Sequence, residues 1–312
     1  MTAVLAMLAS VVWGSSDFVG GLVSRRVRPL VVVGFAHVIA VATLVPIAAA
    51  TGAFASNTGY LVWAAAAGAV GLVGLLSYYA ALSTGTMGIV APIAGAGAVV
   101  PVIVGLASGD TPSTWQYVGI AAAVGGVVLA SGPELSGGGA GGRRPLALAA
   151  VAAVAFGLVY TLIDKGSEHS VLMTLLAMRV VSVAIVASLA GRAVARGRSS
   201  PVAGAQQKSA LQQAAGVQRP FGAHLGAQFA SIWPGWPMLG VIALVGWSDA
   251  GANGLYGLAS RHGLVSVVAV LASLYPAVTV LLARIFDDER MRRIQAVGVV
   301  LALCGVVLLA AG

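Results

Sequence analysis

Charged residues are scarce in this sequence. Lys, Arg, Asp and Glu together make up 8% of the 312 residues, whereas a soluble domain carries about 25%. Hydrophobic residues make up 59%, and the mean hydropathy is +0.98. So few charges could not cover a surface that faces water, which excludes an ordinary soluble domain. The outer surface of the protein is therefore predicted to face lipid.

Cysteine and recognisable catalytic motifs are also lacking. The single cysteine, Cys304, lies in a hydrophobic run, so the chain can form no intrachain disulfide. The sequence has no HExxH motif, no Walker A loop, no GxSxG motif and no metal-ligand spacing of His, Cys, Asp and Glu. We therefore expect no catalytic residues, no metal site and no cofactor. The net charge of +8 comes from basic residues in loops between apolar runs, where membrane orientation explains it better than nucleic-acid binding.

Long hydrophobic runs recur along the chain. A transmembrane helix needs roughly 17–25 residues to cross a hydrocarbon core of ~30 Å. The runs predict an all-α integral membrane protein with ten transmembrane helices, spans 1 to 10, at residues 3–23, 30–51, 60–83, 86–107, 113–131, 146–164, 170–190, 236–257, 263–284 and 293–311. Residues 133–145 read as a glycine-rich linker, and residues 191–235 as a long polar loop to which we assign no chemistry.

The two halves of the chain contain matching residues in the same order. The pairs lie at offsets of 143 to 179 residues and include Gln116 with Gln295, Gly126 with Gly305, Tyr78 with Tyr256, Pro101 with Pro276, and Trp13 with Phe156. The offsets differ because loops tolerate insertions. The pattern predicts two copies of one five-helix unit, at residues 1–132 and 146–312.

Loop charges indicate that the two units have opposite orientations. Five is an odd number, so the second unit would enter the membrane from the other side. The loop after span 1 carries three arginines, whereas its counterpart after span 6 carries one lysine with Asp164 and Glu168. The loop after span 4 carries only Asp110, whereas its counterpart after span 9 carries four arginines. Equivalent loops thus have opposite charge bias, which the positive-inside rule predicts of inverted repeats.

These features occur together in one known family. They are Trp13-Gly14 in span 1, Arg179 in span 7, the Tyr-x-x-Ala segments of spans 3 and 8, Pro101 and Pro276 in spans 4 and 9, and Gly109-Asp110 and Asp288-Glu289 before the last span of each unit. In this ordered set the chain resembles the drug/metabolite transporter superfamily, specifically ten-helix transporters with two EamA-type domains. One departure is His37, which stands where the family pattern favours arginine in span 2.

The resemblance implies a secondary transporter in the cytoplasmic (inner) membrane. Such a protein moves a small metabolite, amino acid or drug-like solute across the bilayer by alternating access, as an exporter. Its partners would be the solute and the lipid, in a monomer or a homodimer. Protons as a coupling ion and facilitated exchange without one fit the sequence equally well. The alternative is an integral membrane enzyme or sensor that acts on a lipid-soluble ligand. A catalytic cluster near one membrane interface would favour that alternative, and the sequence contains none.

Four ionisable residues fall inside the predicted spans: Asp17, His37, Arg179 and Asp249. A charged side chain at the centre of a membrane helix costs about 2.5–3.5 kcal/mol, so each should face protein or a water-filled cavity. The two aspartates are candidates to bind a substrate amine or a proton. Equally, either could neutralise Arg179 and hold the bundle together. Arg179 could instead meet an anionic substrate group, and His37 could transfer protons or only hydrogen-bond a neighbouring helix.

Other polar and aromatic residues accompany these charges at helical spacing. Asp249, Asn253 and Tyr256 fall on one face of span 8, and Trp13 shares a face with Asp17 in span 1. We expect Asn253 to line a wet surface and Trp13 to stack on the substrate or pack. For the matched pair Tyr78 and Tyr256, cavity lining and plain packing both remain open.

Two further expectations concern the backbone. Pro101 and Pro276 should interrupt spans 4 and 9, because proline lacks the amide proton of a helix hydrogen bond. Asp110 precedes span 5, where the helix dipole favours a negative charge, so we expect it to cap that helix.

Overall fold

The structure, a computed structural model, describes residues 1–130, 143–198, 235–286 and 293–311. Within these residues it contains α- and 3-10 helices and no β-strand. We number its α-helices in chain order as α1 (Thr2–Ser24), α2 (Pro29–Ala50), α3 (Leu61–Thr84), α4 (Met87–Gly95), α5 (Val99–Ala107), α6 (Thr114–Ala130), α7 (Arg143–Ser167), α8 (Val171–Arg198), α9 (Trp236–Ser260), α10 (Val265–Ala272), α11 (Tyr275–Phe286) and α12 (Arg293–Ala311). The all-helical class expected from the sequence is confirmed.

Seven segments of the described chain are long and apolar enough to cross a membrane. They are Thr2–Ser24, Pro29–Ala50, Thr58–Thr84, Met87–Ala107, Arg144–Ser167, Val171–Arg192 and Val265–Phe286. The other three predicted spans, 5, 8 and 10, are helices α6, α9 and α12, which do not belong to the seven. Ten crossings therefore remain a prediction.

Spans 4 and 9 are interrupted close to their prolines. A 3-10 turn at Ala96–Ala98 separates α4 from α5, and Pro101 lies in the first turn of α5. Ser273 and Leu274 separate α10 from α11, whose second residue is Pro276. Each proline removes the amide that would bond the carbonyl four residues earlier, so each span divides into two shorter helices.

Some boundaries differ from those read in the sequence. Helix α7 begins at Arg143 and so includes the last three residues of the predicted linker. Helix α8 continues to Arg198, eight residues into the predicted polar loop. The rest of that loop to residue 234, and Asp288-Glu289, lie outside the described residues. Asp164, the last residue of predicted span 6 and counted with the charges of the loop after it, lies within α7 because the helix runs to Ser167.

Small residues bring helices from the two halves into close contact. A Cβ atom on Gly68 in α3 would collide with the carbonyl oxygen of Met178 in α8, and one on Gly246 in α9 would collide with that of Ala36 in α2. The Ser182 hydroxyl donates to the Gly68 carbonyl at 2.8 Å. Without side chains at these positions, helix backbones can pack directly on one another, as in other membrane bundles.

Candidate functional site

The charged residues of the predicted spans meet where helices α1, α2, α8 and α9 pack. Asp17, His37, Arg179 and Asp249 are all buried, with exposed fractions of 1% to 9%. Helix α1 contacts α9, and α2 contacts both α8 and α9. Burial of four ionisable groups in one region means that their charges must be balanced locally.

Asp249 and Arg179 form a buried ion pair. The Arg179 Nη2 atom lies 2.6 Å from Asp249 Oδ2. The second guanidinium nitrogen, Nη1, lies 2.9 Å from the Nε2 atom of His37. A guanidinium has only donors, so His37 accepts through Nε2 and is neutral in this arrangement. His37 thus orients the arginine, and Asp249 pairs with its charge. The pairing leaves a role of Asp249 in substrate or proton binding as a prediction.

Two further donors converge on the Asp249 carboxylate. Trp13 donates through its indole Nε1 to Oδ1 at 3.3 Å. Asn253, one turn further along α9, donates through Nδ2 to the same oxygen at 3.1 Å and to the Asp249 carbonyl at 2.6 Å. Together with the ion pair to Arg179, these bonds join α1, α8 and α9 at the Asp249 carboxylate. They also give Trp13 a polar partner deep inside the bundle, where tryptophan needs one for its N–H group.

Asp17 is placed differently from Asp249. Its side chain is buried, yet in the part of the chain that the structure describes no Arg, Lys or His lies within 4.0 Å of its carboxylate. The site therefore contains two carboxylates and one guanidinium, which pairs with Asp249, so it has one formal negative charge in excess when both aspartates are ionised.

A cavity of about 50 Å³ opens beside these groups. Its charged and amide-bearing walls are Asp17, Arg179, Asp249 and Asn253; its aromatic walls are Trp13, Phe156, Tyr160 and Tyr275; the remaining walls are Gly71, Leu75, Val159 and Met178. A site for one water needs about 10–15 Å³ on this scale, so the cavity holds a few waters. Pockets for drug-sized ligands measure about 300–1,000 Å³. The conformation described is therefore a nearly closed one.

Three predicted site residues lie behind the cavity wall. Tyr78 and Tyr256 are completely buried, and both pack on cavity aromatics. The ring of Tyr78 lies 5.4 Å from that of Phe156, and the ring of Tyr256 lies 4.9 Å from that of Tyr160. His37 bonds Arg179 at 2.9 Å, and its Nε2 atom lies 4.0 Å from Asp249 Oδ2, behind the cavity wall. Of the eight predicted site residues, Trp13, Asp17, Arg179, Asp249 and Asn253 line the cavity itself.

The sequence analysis missed Tyr160 and Tyr275, which line the cavity. A signal for Tyr160 was present: the offset of 143 residues that relates Trp13 to Phe156 also relates Asp17 to Tyr160. Tyr275 immediately precedes Pro276, so it stands where the chain turns from α10 into α11. At this break between the two helices, Tyr275 lines the cavity.

The expectation for Asp110 was wrong about which helix it caps. Helix α6 is capped by Ser113 and Gln116, whose side chains bond one another's backbone amides at 3.2 Å and 2.9 Å. Asp110 Oδ2 instead accepts from the Ser266 amide at 3.0 Å and from its hydroxyl at 2.8 Å. Ser266 is in the first turn of α10, so Asp110 caps a helix of the other half of the chain.

Comparison with known proteins identifies the family of the chain. The family model described as EamA-like transporter family matches residues 1–132 and 143–311. The chain belongs to the EamA-like transporter family, and it is a multi-pass membrane protein. A solved structure described only as a crystal structure of a protein superposes with a TM-score of 0.66 at 16% identity, over 98% of this chain and 95% of that chain, and shows the fold alone. None of the curated proteins matches the sequence.

Proposed function

We propose that this protein is a secondary transporter that works by alternating access, with its substrate site at the cavity between Asp17 and Asp249. In this proposal ten spans form two inverted five-helix units, residues 1–132 and 146–312. The family model matches two separate segments. Contacts between the halves also come in the pairs that a two-fold relation generates: α1 with α9 and α3 with α7, α2 with α9 and α3 with α8, α4 with α11 and α5 with α10.

The observation that carries the substrate proposal is the excess carboxylate. Asp249 has Arg179 as its counter-ion, whereas Asp17 faces the same cavity with no cation within 4.0 Å among the described residues. An ionised carboxylate in an apolar interior is costly unless a positive charge accompanies it. We infer that Asp17 takes that charge from the substrate, as the ammonium of an amino acid, metabolite or drug, or from a proton when the substrate is absent.

The interrupted spans supply a means of opening. In transporters built from inverted repeats, discontinuous helices border the central site and move between states. Helices α4 and α11 contact one another, as do α5 and α10, and Tyr275 at the second interruption lines the cavity. Bending at these two breaks would widen the cavity from one side at a time. We propose from the family that the protein lies in the cytoplasmic membrane and exports its substrate. We propose protons as the coupling ion.

The test compares Asp17, which lines the cavity, with Glu168, which is exposed. Cells with and without the protein are compared by metabolite profiling to find the exported solute, and its flux is then measured in proteoliposomes. Asp17→Asn keeps the shape of the side chain and removes its charge, so flux should be lost. Glu168→Gln is the matched control, because Glu168 is exposed and paired with Lys165 at 2.9 Å. Wild-type flux from Asp17→Asn would remove Asp17 from the transport mechanism.

A further inference from the structure

A third buried carboxylate lies outside the central site. Asp164, in the last turn of α7, is only 6% exposed. The hydroxyl of Ser260, the last residue of α9, faces it. Asp164 is thus held between the ends of two helices, at the membrane face where α7 and α9 both terminate.

The surroundings of Asp164 do not explain it as a structural charge. The carboxyl ends of helices carry partial negative charge, which disfavours a carboxylate beside them. The charged neighbours are Lys165 and Glu168 on its own segment and Arg261 after α9. Lys165 is already paired with Glu168. Among the described residues, no cationic nitrogen lies within 4.0 Å of Asp164.

Two buried hydroxyls lie on the two helices that end beside Asp164. In the described part of the chain, Tyr256 Oη and Ser167 Oγ are buried and make no hydrogen bond. Ser167 packs against Gly257, one residue beyond Tyr256. An unsatisfied buried hydroxyl costs free energy, so both hydroxyls are available to a further hydrogen-bonding partner.

The same residues connect Asp164 with the central cavity. Tyr160 precedes Asp164 by one helical turn and lines the cavity together with Asp17. Its ring lies 4.9 Å from that of Tyr256. On α9, Tyr256 follows Asn253, which also lines the cavity. Tyr160 and Tyr256 therefore lie between the cavity that Asp17 lines and the ends of α7 and α9.

We propose that Asp164 is a proton-accepting residue on the route between the Asp17 cavity and this membrane face. The inference rests on the proposed function, because it gives Asp17 the proton that the empty carrier needs. A proton from solvent binds an Asp164 oxygen and passes through the tyrosine hydroxyls to an Asp17 oxygen; each hydroxyl releases one proton as it accepts another. A metal ion does not fit, since no group of three or more His, Cys, Asp or Glu among the described residues could hold one.

Infrared spectroscopy of the full-length protein in liposomes tests the proposal without a substrate. The probe is the proton itself, because a protonated carboxyl group gives a carbonyl band that shifts on exchange with D₂O. Asp164→Asn should remove one band from the difference spectrum between acidic and alkaline buffer. It should also slow deuteration of the Asp17 carboxyl, whose band is assigned with Asp17→Asn. Glu168→Gln, on the same segment but exposed, should leave the rate of Asp17 exchange unchanged.

Each outcome decides the matter. An unchanged difference spectrum in Asp164→Asn would show that Asp164 does not titrate, and unchanged Asp17 exchange would show that it is not on the route. Tyr256→Phe provides a second variant with the carboxylate intact and should shift the Asp164 band. Failure of the transport proposal itself would appear separately, as wild-type flux from Asp17→Asn.

Discussion

The two aspartates of the cavity should have opposite effects on stability when their charge is removed. Asp249→Asn leaves Arg179 buried with His37 as its remaining polar contact. Two unit charges about 4 Å apart attract by ~4 kcal/mol at an effective dielectric constant of 20. Removal of one partner of a buried pair costs about 3–5 kcal/mol, because the other charge stays unpaired. We expect Asp249→Asn to lower the free energy of unfolding by that amount.

Asp17→Asn is the matched comparison. Asp17 has no cationic partner within 4.0 Å in the described chain, so the change removes an uncompensated charge. Its free energy of unfolding should stay within about 1 kcal/mol of wild type or rise. A second comparison is the double variant Asp249→Asn/Arg179→Gln, which removes both charges and should recover most of the stability lost in Asp249→Asn.

Reversible unfolding in mixed micelles, followed by the circular dichroism of the helices, is measured for wild type, Asp249→Asn, Asp17→Asn, Arg179→Gln and the double variant. A loss of less than about 1 kcal/mol in the free energy of unfolding of Asp249→Asn would contradict a stabilising ion pair. So would an equal loss in Asp17→Asn. If the double variant is no more stable than the losses of Asp249→Asn and Arg179→Gln added together predict, the two charges do not stabilise one another.

Two other predictions concern packing and capping. Gly68→Ala should destabilise the bundle by about 1–3 kcal/mol, since its Cβ would meet the Met178 carbonyl. Gly251→Ala, with no heavy atom within 4 Å of the new Cβ, should be neutral or stabilising by up to ~1 kcal/mol; equal losses in the same unfolding assay would contradict this. Asp110→Ala should cost about 0.5–2 kcal/mol and speed amide exchange at Ser266, with Glu168→Ala as control. Unchanged exchange at Ser266 would show that the cap contributes nothing.

The sequence determined the class of protein and the set of buried charges. Hydropathy and helical spacing are properties of short segments, so long apolar runs predicted helices that the structure contains, including the breaks at Pro101 and Pro276. Asp17, His37, Arg179 and Asp249 could be selected because a charge inside an apolar helix must avoid lipid, whatever its partner.

Which of these charges pair depends on the tertiary structure. Asp249 meets Arg179 because α8 and α9 bring their two faces together across 70 residues of chain, and Asp17 remains unpaired although it lines the same cavity. Asp110 caps α10 instead of α6, and Asp164 is buried at a helix end that the sequence assigned to a loop. These outcomes depend on how helices rotate and slide against one another. That relative placement arises from contacts between distant segments, which no local pattern encodes.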